Sequence, residues 1–305
     1  MKYIMRTVIA ENKHDSKKIE RVIRDFFPNL ASGMLFKAFR KKDIKVNGVR
    51  VKEDYVVSNG DIIDIYIIDD FLFGKNDEGY EVVFEDNNLL VVNKAQGIPV
   101  HPDNNQKEAT LIDKLQKQYG SDIALCHRLD RNTSGLVVLA KNQATLDIML
   151  DKIKHREVQK YYNCIVSGIM EKKQAELTDY LEKNENISKV FISNQKSRDS
   201  VKIITRYNVI STLDNLSLLE VELITGKTHQ IRAHLAFYGH PIIGDGKYGR
   251  NAENKRYSAK YQMLCANKLT FAFTSPAKHL DYLKSKTISI APPFDLENIV
   301  KNQKL

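Results

Sequence analysis

Cysteine is scarce. Cys126, Cys164 and Cys265 are the only three in 305 residues, and no two stand in a C-x-x-C spacing. That excludes a disulfide scaffold and argues against a cysteine zinc or redox site; reduced, buried thiols are expected. Long apolar runs are also missing. The longest candidates, Ile62 to Ile68 and Leu89 to Val92, are strand-sized, and Arg6 interrupts the N-terminus before a secretory apolar region forms. No membrane partner is expected, and the cytoplasm is the expected location. Repeats and low-complexity tracts are absent. Acidic residues are the minority charge: 38 Asp and Glu against 47 Lys and Arg leave a net +9. A basic balance makes a polyanion the first partner to consider. With 42% hydrophobic residues and a mean hydropathy of −0.40, the chain reads as globular rather than disordered.

Three common catalytic signatures are missing too. Gly226-Lys227-Thr228 follows a strand and imitates the end of a phosphate-binding P-loop, but Val221 stands where that loop needs its first glycine. An ATP-dependent RNA remodeller is disfavoured on this ground. His229 and His234 are five residues apart, not one helical turn, and so do not form the zinc face of H-E-x-x-H. Asn132 occupies the place of the first glycine in a G-x-S-x-G elbow around Ser134.

The chain divides by pattern. Apolar residues at helical spacing predict a helix over His14 to Phe27, stopped by Pro28, and a second over Ala31 to Arg40. Lys45 to Val51 alternates around Asn47-Gly48, a hairpin signal, and Ser58 to Asp61 offers a turn before the next strand. Residues 1–70 thus form a small α/β module, with 71–79 as a linker. Its Lys37, Arg40, Lys41, Lys42, Lys45, Arg50 and Lys52 make a basic helix and hairpin, while Phe36 and Phe39 are expected in its core. Residues 80–295 read as strand-rich, with helices at Leu111 to Tyr119, at Ala144 to Lys154 behind an Asn142 cap, and at Thr228 to Tyr238. Several strands follow one another directly. An α+β domain on a mixed, largely antiparallel sheet is therefore expected, with 296–305 as a tail.

Two polar clusters stand out. Cys126-His127-Arg128-Leu129-Asp130-Arg131-Asn132-Thr133-Ser134-Gly135 runs into an apolar strand, and Thr225 to His234 opens a helix after another strand. Ordering charges at the mouth of a buried strand is costly unless they form a network or a site. A lone carboxylate, Asp130, among arginines is held as the anion, which suits a nucleophile better than a general acid.

His127 to Leu136 resembles the active-site signature of the RluA-type pseudouridine synthases. Val91 to Pro102 is similar to that family's first motif, Lys160-Tyr161-Tyr162 with Val166 and Gly168 to its K-x-Y strand, and Thr225 to Gly249 to its third motif. The four lie in family order. The N-terminal module resembles an S-four-like RNA-binding domain. The resemblance implies an isomerase that turns uridine into pseudouridine in structured RNA, with ribosomal RNA the expected partner, no cofactor, no metal and a monomeric state. It assigns Asp130 as nucleophile on a flipped-out uridine, attacking either the sugar or the ring. Arg232 would pair with that aspartate and Tyr162 would pack on the uracil and take part in proton removal. Arg128 would fill the gap left by the base, and His127, Arg131, Lys94, Lys227 and His229, with Lys247, would contact phosphates or the loop. Ala95, Lys227 and Cys265 depart from common family residues and leave the subfamily open. The alternative is a non-catalytic RNA-binding or ribosome-assembly factor that retains the fold.

Overall fold

The computed structural model describes residues 4–27, 30, 32–67, 79–102, 108–184, 187–301 and 303. The chain divides into two compact units, Met1–Glu78 and Gly79–Leu305. Pro28 and the linker expected over 71–79, apart from Gly79, lie outside the described residues.

The first unit contains β1 (Ile4–Ile9), β2 (Lys17–Lys18), α1 (Ile19–Phe26), α2 (Ser32–Lys41), β3 (Ile44–Val46), β4 (Val49–Arg50), β5 (Val56–Val57) and β6 (Ile62–Ile67). Its main sheet runs β1-β6-β3-β4. The Asn-Gly signal acts as read: Asn47 (φ 51°) and Gly48 (φ 81°) both take positive φ, the requirement of the tight turn that matches strand twist. The first helix starts later than its periodicity suggests. Ser16 takes a positive φ of 58°, and Lys17 and Lys18 pair with Val57 and Val56. Those backbone groups find ladder partners far along the chain, so the helix begins only at Ile19. Ile19, Val22 and Ile23 face Leu35, Phe39 and Ile63 in the core. Phe36, expected there with Phe39, is instead exposed.

The second unit contains β7 (Tyr80–Glu85), β8 (Leu89–Lys94), α3 (Leu111–Tyr119), β9 (Ala124–Leu125), β10 (Ser134–Ala140), α4 (Gln143–Lys154), β11 (Val158–Ser167), β12 (Gln174–Asn184), β13 (Lys189–Ser193), β14 (Val201–Leu213), β15 (Leu216–Leu223), α5 (Gln230–Phe237), α6 (Asn251–Arg256), β16 (Leu264–Phe271), β17 (Thr287–Ser289) and α7 (Leu296–Lys301). The strands form one large sheet in the order β13-β12-β14-β15-β11-β16-β10-β8-β7, with β9 beside β10 and β17 beside β16. Neighbours are antiparallel except β10 and β16, so the fold is α+β on a mixed, mostly antiparallel sheet, as expected.

Every residue of β10 is buried. Val137 and Leu139 join Leu90 and Val92 beneath Leu111 and Leu115 of α3. Leu136 and Val138 join Leu89 and Val91 on the other face with Met149 of α4. Helices on both faces explain why β10 reads as a continuous apolar run rather than an alternation. Each fully buried Leu or Val contributes about 1.5–3 kcal/mol of transfer free energy, which anchors the strand firmly. Both helix starts are capped, the second by Asn142 as expected. Thr110 and Asp113 exchange side-chain to backbone bonds at α3, and the Asn142 side chain accepts from the Thr145 amide at α4. Gly135 is fixed by contact: at φ 111° an added Cβ would lie 2.3 Å from the Ala266 carbonyl oxygen across the parallel pair. The segment expected as a tail from 296 begins as α7, whose Leu296 is buried against Ile165 and Leu216.

Candidate active site

Three segments converge at one end of the sheet. The loop 126–133 enters β10, Lys160 and Tyr162 project from β11, and the turn 225–229 leads from β15 into α5. They line a cleft of about 160 Å³ whose wall includes Arg128, Asp130, Lys160, Tyr162, His229 and Arg232.

Arg232 of α5 reaches two carboxylates at once. Its Nη1 donates to Asp130 Oδ2 at 2.7 Å, while Nε and Nη2 donate to the two oxygens of Asp245 at 2.7 and 2.9 Å. The bidentate pair fixes the guanidinium plane. Asp245 is fully buried, whereas the Asp130 side chain keeps 26% exposure toward the cleft. Backbone amides of Lys247 and Tyr248 also donate to Asp245, at 2.8 and 3.1 Å. Against burial, which favours its neutral form, Arg232 and these amides hold the Asp245 carboxyl below the usual carboxylate range. Gly244 allows the loop to form: its φ is 83° and a Cβ would fall 2.0 Å from the Tyr261 carbonyl oxygen. Asn254 of α6 then clamps both sides, accepting from Gly244 N and donating to the Asp245 carbonyl.

His229 caps α5 in the left-handed region, φ 53° and ψ 15°. Its Nδ1 lies 3.0 Å from the Tyr248 hydroxyl, and its Nε2 lies 4.0 Å from Asp130 Oδ2. Burial, with Arg232 and Lys247 adding and Asp130 opposing, pushes the imidazole down to about 4. Tyr162 is buried; burial and the neighbouring Asp130 push its phenol up. Arg128, Lys160 and Lys227 also line the cleft, and among the described residues their side chains have no hydrogen-bond or ion-pair partner. One guanidinium between two carboxylates leaves net negative charge at the floor, faced at the walls by Arg128, Lys227 and Lys160, the last with its ammonium pushed below the usual lysine range by burial. An anionic ligand held at the walls could present a reacting group to Asp130.

Other expected contacts are placed elsewhere. Lys94 is completely buried, and its ammonium donates to the carbonyls of Ala95, Ile98 and Arg131 at 2.8 to 3.0 Å. All its hydrogens are committed, so it ties the loop after β8 to the Asp130 loop instead of meeting a phosphate. Arg131 pairs with Glu108 at 2.7 Å and donates to the Gly97 carbonyl; it too braces loops outside the cleft. His127 accepts from the Val138 amide through Nε2 at 3.2 Å, and burial pushes its ring down to about 3, which makes it a neutral support of β10. The Lys247 ammonium donates to the Ser188 carbonyl. Thr133 accepts from the Gln262 side chain, a contact that shapes the loop. His234 sits in the interior between Asp179 and Thr205. The three cysteines are free and buried, and among the described residues no cluster of His, Cys, Asp or Glu could hold a metal ion.

Sequence reasoning assigned no role to Asp245, Tyr248 or Lys160. Asp245 lies between Gly244 and Gly246 and reads as a turn residue. Lys160 carried a signal, because it stands two residues before Tyr162 on one strand and so shares its face.

Residues 88–237 match the family model described as RNA pseudouridylate synthase. An uncharacterized RNA pseudouridine synthase of Mycoplasma genitalium is 31% identical over 297 residues, covering 91% of this chain and 95% of that protein. The chain belongs to the RNA pseudouridine synthase family. As a member it is an isomerase acting on RNA. A ribosomal large subunit pseudouridine synthase C of Rickettsia felis is 33% identical over 284 residues, 86% of this chain and 90% of that one. Among solved structures, the human RNA pseudouridylate synthase domain containing 4 protein matches with a TM-score of 0.58 at 23% identity, over 72% of this chain and 92% of that one. That likeness is one of fold.

Proposed function

We propose that this synthase isomerises uridine in large-subunit ribosomal RNA, with Asp130 as the nucleophile on a uridine flipped into the cleft. The observation that carries the reading is the Asp130–Arg232–Asp245 arrangement: a partly exposed carboxylate hydrogen-bonded by a guanidinium that is itself locked from behind. Names of relatives such as the Rickettsia felis protein favour ribosomal RNA as the substrate.

The isomerisation breaks the bond from the ribose anomeric carbon to N1, turns the base and joins that carbon to C5. No atom is added or removed, so the scheme calls for no cofactor. Asp130 attacks the sugar or the ring, and Arg232 keeps its carboxylate aimed. A stacked uridine must leave its helix first, at a cost of a few kcal/mol. Arg128, with no protein partner among the described residues, is suited to stack in the vacated space. Tyr162 packs against the flipped base, while Lys227 offers charge to its phosphates and Lys160 a hydrogen-bond donor.

The first unit supplies a second anchor. Lys41, Lys42, Lys45, Arg50 and Tyr66 line a groove of about 480 Å³, and Lys45 lies over the Tyr66 ring at 5.1 Å. Basic side chains around an aromatic suit an RNA backbone, in line with a separate RNA-binding domain over residues 1–70.

Incubating the purified chain with large-subunit ribosomal RNA transcripts, without metal or nucleotide, and mapping pseudouridine tests this reading. New pseudouridine at a defined uridine is expected. Binding without modification would overturn it in favour of an RNA-binding assembly factor.

A further inference from the structure

Helix α5 carries polar side chains on a face where a helix packed on a sheet ordinarily buries apolar ones. Gln230, His234 and Tyr238 recur at intervals of four and so share that face. Gln230 and His234 are buried, and so are Asp179 of β12 and Thr205 of β14 beside them. The four form a continuous chain. Asp179 Oδ2 accepts from the Tyr238 hydroxyl at 2.7 Å and lies 2.9 Å from His234 Nε2. Nδ1 of that ring lies 2.9 Å from Thr205 Oγ1, which accepts from Gln230 Nε2 at 3.0 Å. None of the buried side-chain atoms of this chain is left without a partner. Such a network admits one arrangement, because any other strands a buried polar group.

Gln230 is the end of the chain that reaches the cleft. Its Nε2 also donates to the Ile204 carbonyl at 3.0 Å, while its Oε1 accepts from the Thr225 hydroxyl at 2.8 Å and from the Lys227 amide at 3.2 Å. The orientation of the side-chain amide follows from these partners, since a backbone N–H only donates and a carbonyl only accepts. The backbone amide of Gln230 donates in turn to the Lys227 carbonyl at 3.0 Å. One residue therefore holds both backbone polar groups of Lys227. Thr225 is tied to β14 as well, its hydroxyl accepting from the Ile204 amide at 2.8 Å. The Lys227 side chain, by contrast, is exposed at the cleft wall and has no hydrogen-bond or ion-pair partner among the described residues. The turn is fixed from within, and its cation is left for a ligand.

We infer that Gln230 is a positioning residue of this site: it holds the turn 225–227 so that Lys227 meets a phosphate of the RNA, and the buried chain through Thr205 and His234 to Asp179 holds Gln230 in its place. The inference rests on the proposed reading, in which Lys227 offers charge to a phosphate. Arg232, two residues further along α5, is held separately by Asp245. Gln230 thus bears on the wall that binds RNA rather than on the Asp130 carboxylate, and its loss should be read in binding before it is read in chemistry.

The test is a cycle of Gln230→Met, Lys227→Ala and the double variant, with ribosomal RNA transcripts bound across salt concentrations and turned over at steady state. Methionine keeps the length of the side chain and removes its four bonds. Gln230→Met should weaken RNA binding and lower the magnitude of the salt slope by about 0.7–0.9, the share of one phosphate. KM should rise while kcat stays near that of the unmodified chain, and amide exchange at Lys227 should quicken. In the Lys227→Ala background Gln230→Met should cost no further affinity, since two residues that act through one contact do not add. Thr205→Val lies away from the cleft and removes a single bond to Gln230; it should give the same shifts at smaller size, and it takes the place of Gln230→Met in the cycle if that variant does not fold. Unchanged affinity and slope, or losses that add in full to those of Lys227→Ala, overturn the role of Gln230 and leave the reading of Lys227 standing. If Lys227→Ala alone changes neither affinity nor slope, the phosphate contact of the proposed function fails, and this inference with it.

Discussion

Replacing Asp245 with asparagine should destabilise the second unit far more than replacing Asp130, although both carboxylates touch the same arginine. Asp245 accepts two bonds from Arg232 and two from backbone amides, and it is fully buried. Asparagine keeps a single acceptor oxygen and turns an amide toward at least one donor. A hydrogen bond to a charged group is worth about 1.5–3 kcal/mol, and breaking a buried ion pair costs about 3–5 kcal/mol. Because Asp130 still accepts from Nη1, a loss of about 3 kcal/mol is expected. Asp130→Asn leaves the bidentate pair intact and removes a partly solvated partner, so its cost should stay below about 1 kcal/mol. With a urea slope of roughly 2–3 kcal/mol/M, Asp245→Asn should lower the unfolding midpoint by about 1–1.5 M. Urea unfolding followed by proteolytic susceptibility of the second unit measures this, and coincidence with a spectroscopic probe checks that one transition is being read. Equal midpoints for the two variants would refute the view that Asp245 is the structural carboxylate and Asp130 the functional one.

Other expectations are as specific. Lys94→Met strands three part-buried carbonyls and should cost about 3 kcal/mol, given roughly 1–3 kcal/mol for each group left unpaired; the salt dependence of RNA binding should be unchanged, where a lysine bound to phosphate would have contributed to its slope. Below about pH 4 the second unit should lose stability, because Asp245 and Glu157 are held under their ordinary carboxylate values against the opposing effect of burial. The unfolded chain takes up protons near pH 4 while the folded one does not, so the stabilisation is full above that point and decays as pH falls through the folded values. Urea midpoints between about pH 6 and 3 should show the decline, more weakly in Asp245→Asn. Lys41→Ala combined with Arg50→Ala should lower the magnitude of the salt slope by about 0.7–0.9 for each phosphate no longer neutralised, measured by RNA binding across salt concentrations.

Much of the fold was legible locally. The Asn47-Gly48 turn, the Asn142 cap and the apolar run of β10 each carry their structure in a few neighbouring residues. The start of α1 was not, because Lys17 and Lys18 are claimed by the distant strand β5, and propensity yields to such pairing. β12 and β13 escaped notice since their outer faces are polar and their partners distant. At the site, charge and motif order singled out Asp130, Arg232 and Arg128. The same basic character misdirected the reading of Lys94 and Arg131, because a lysine that satisfies buried carbonyls and one that awaits a phosphate look alike until burial is known. Asp245, hidden in a glycine loop, became visible only when the chain closed it onto Arg232.

Asp130→Asn offers the sharpest trial, on ribosomal RNA transcripts with the product mapped base by base. The variant should fold and bind RNA as the unmodified chain does, and form no pseudouridine. Pseudouridine formed at the same uridine and at an undiminished rate would contradict the assignment of Asp130 as the nucleophile.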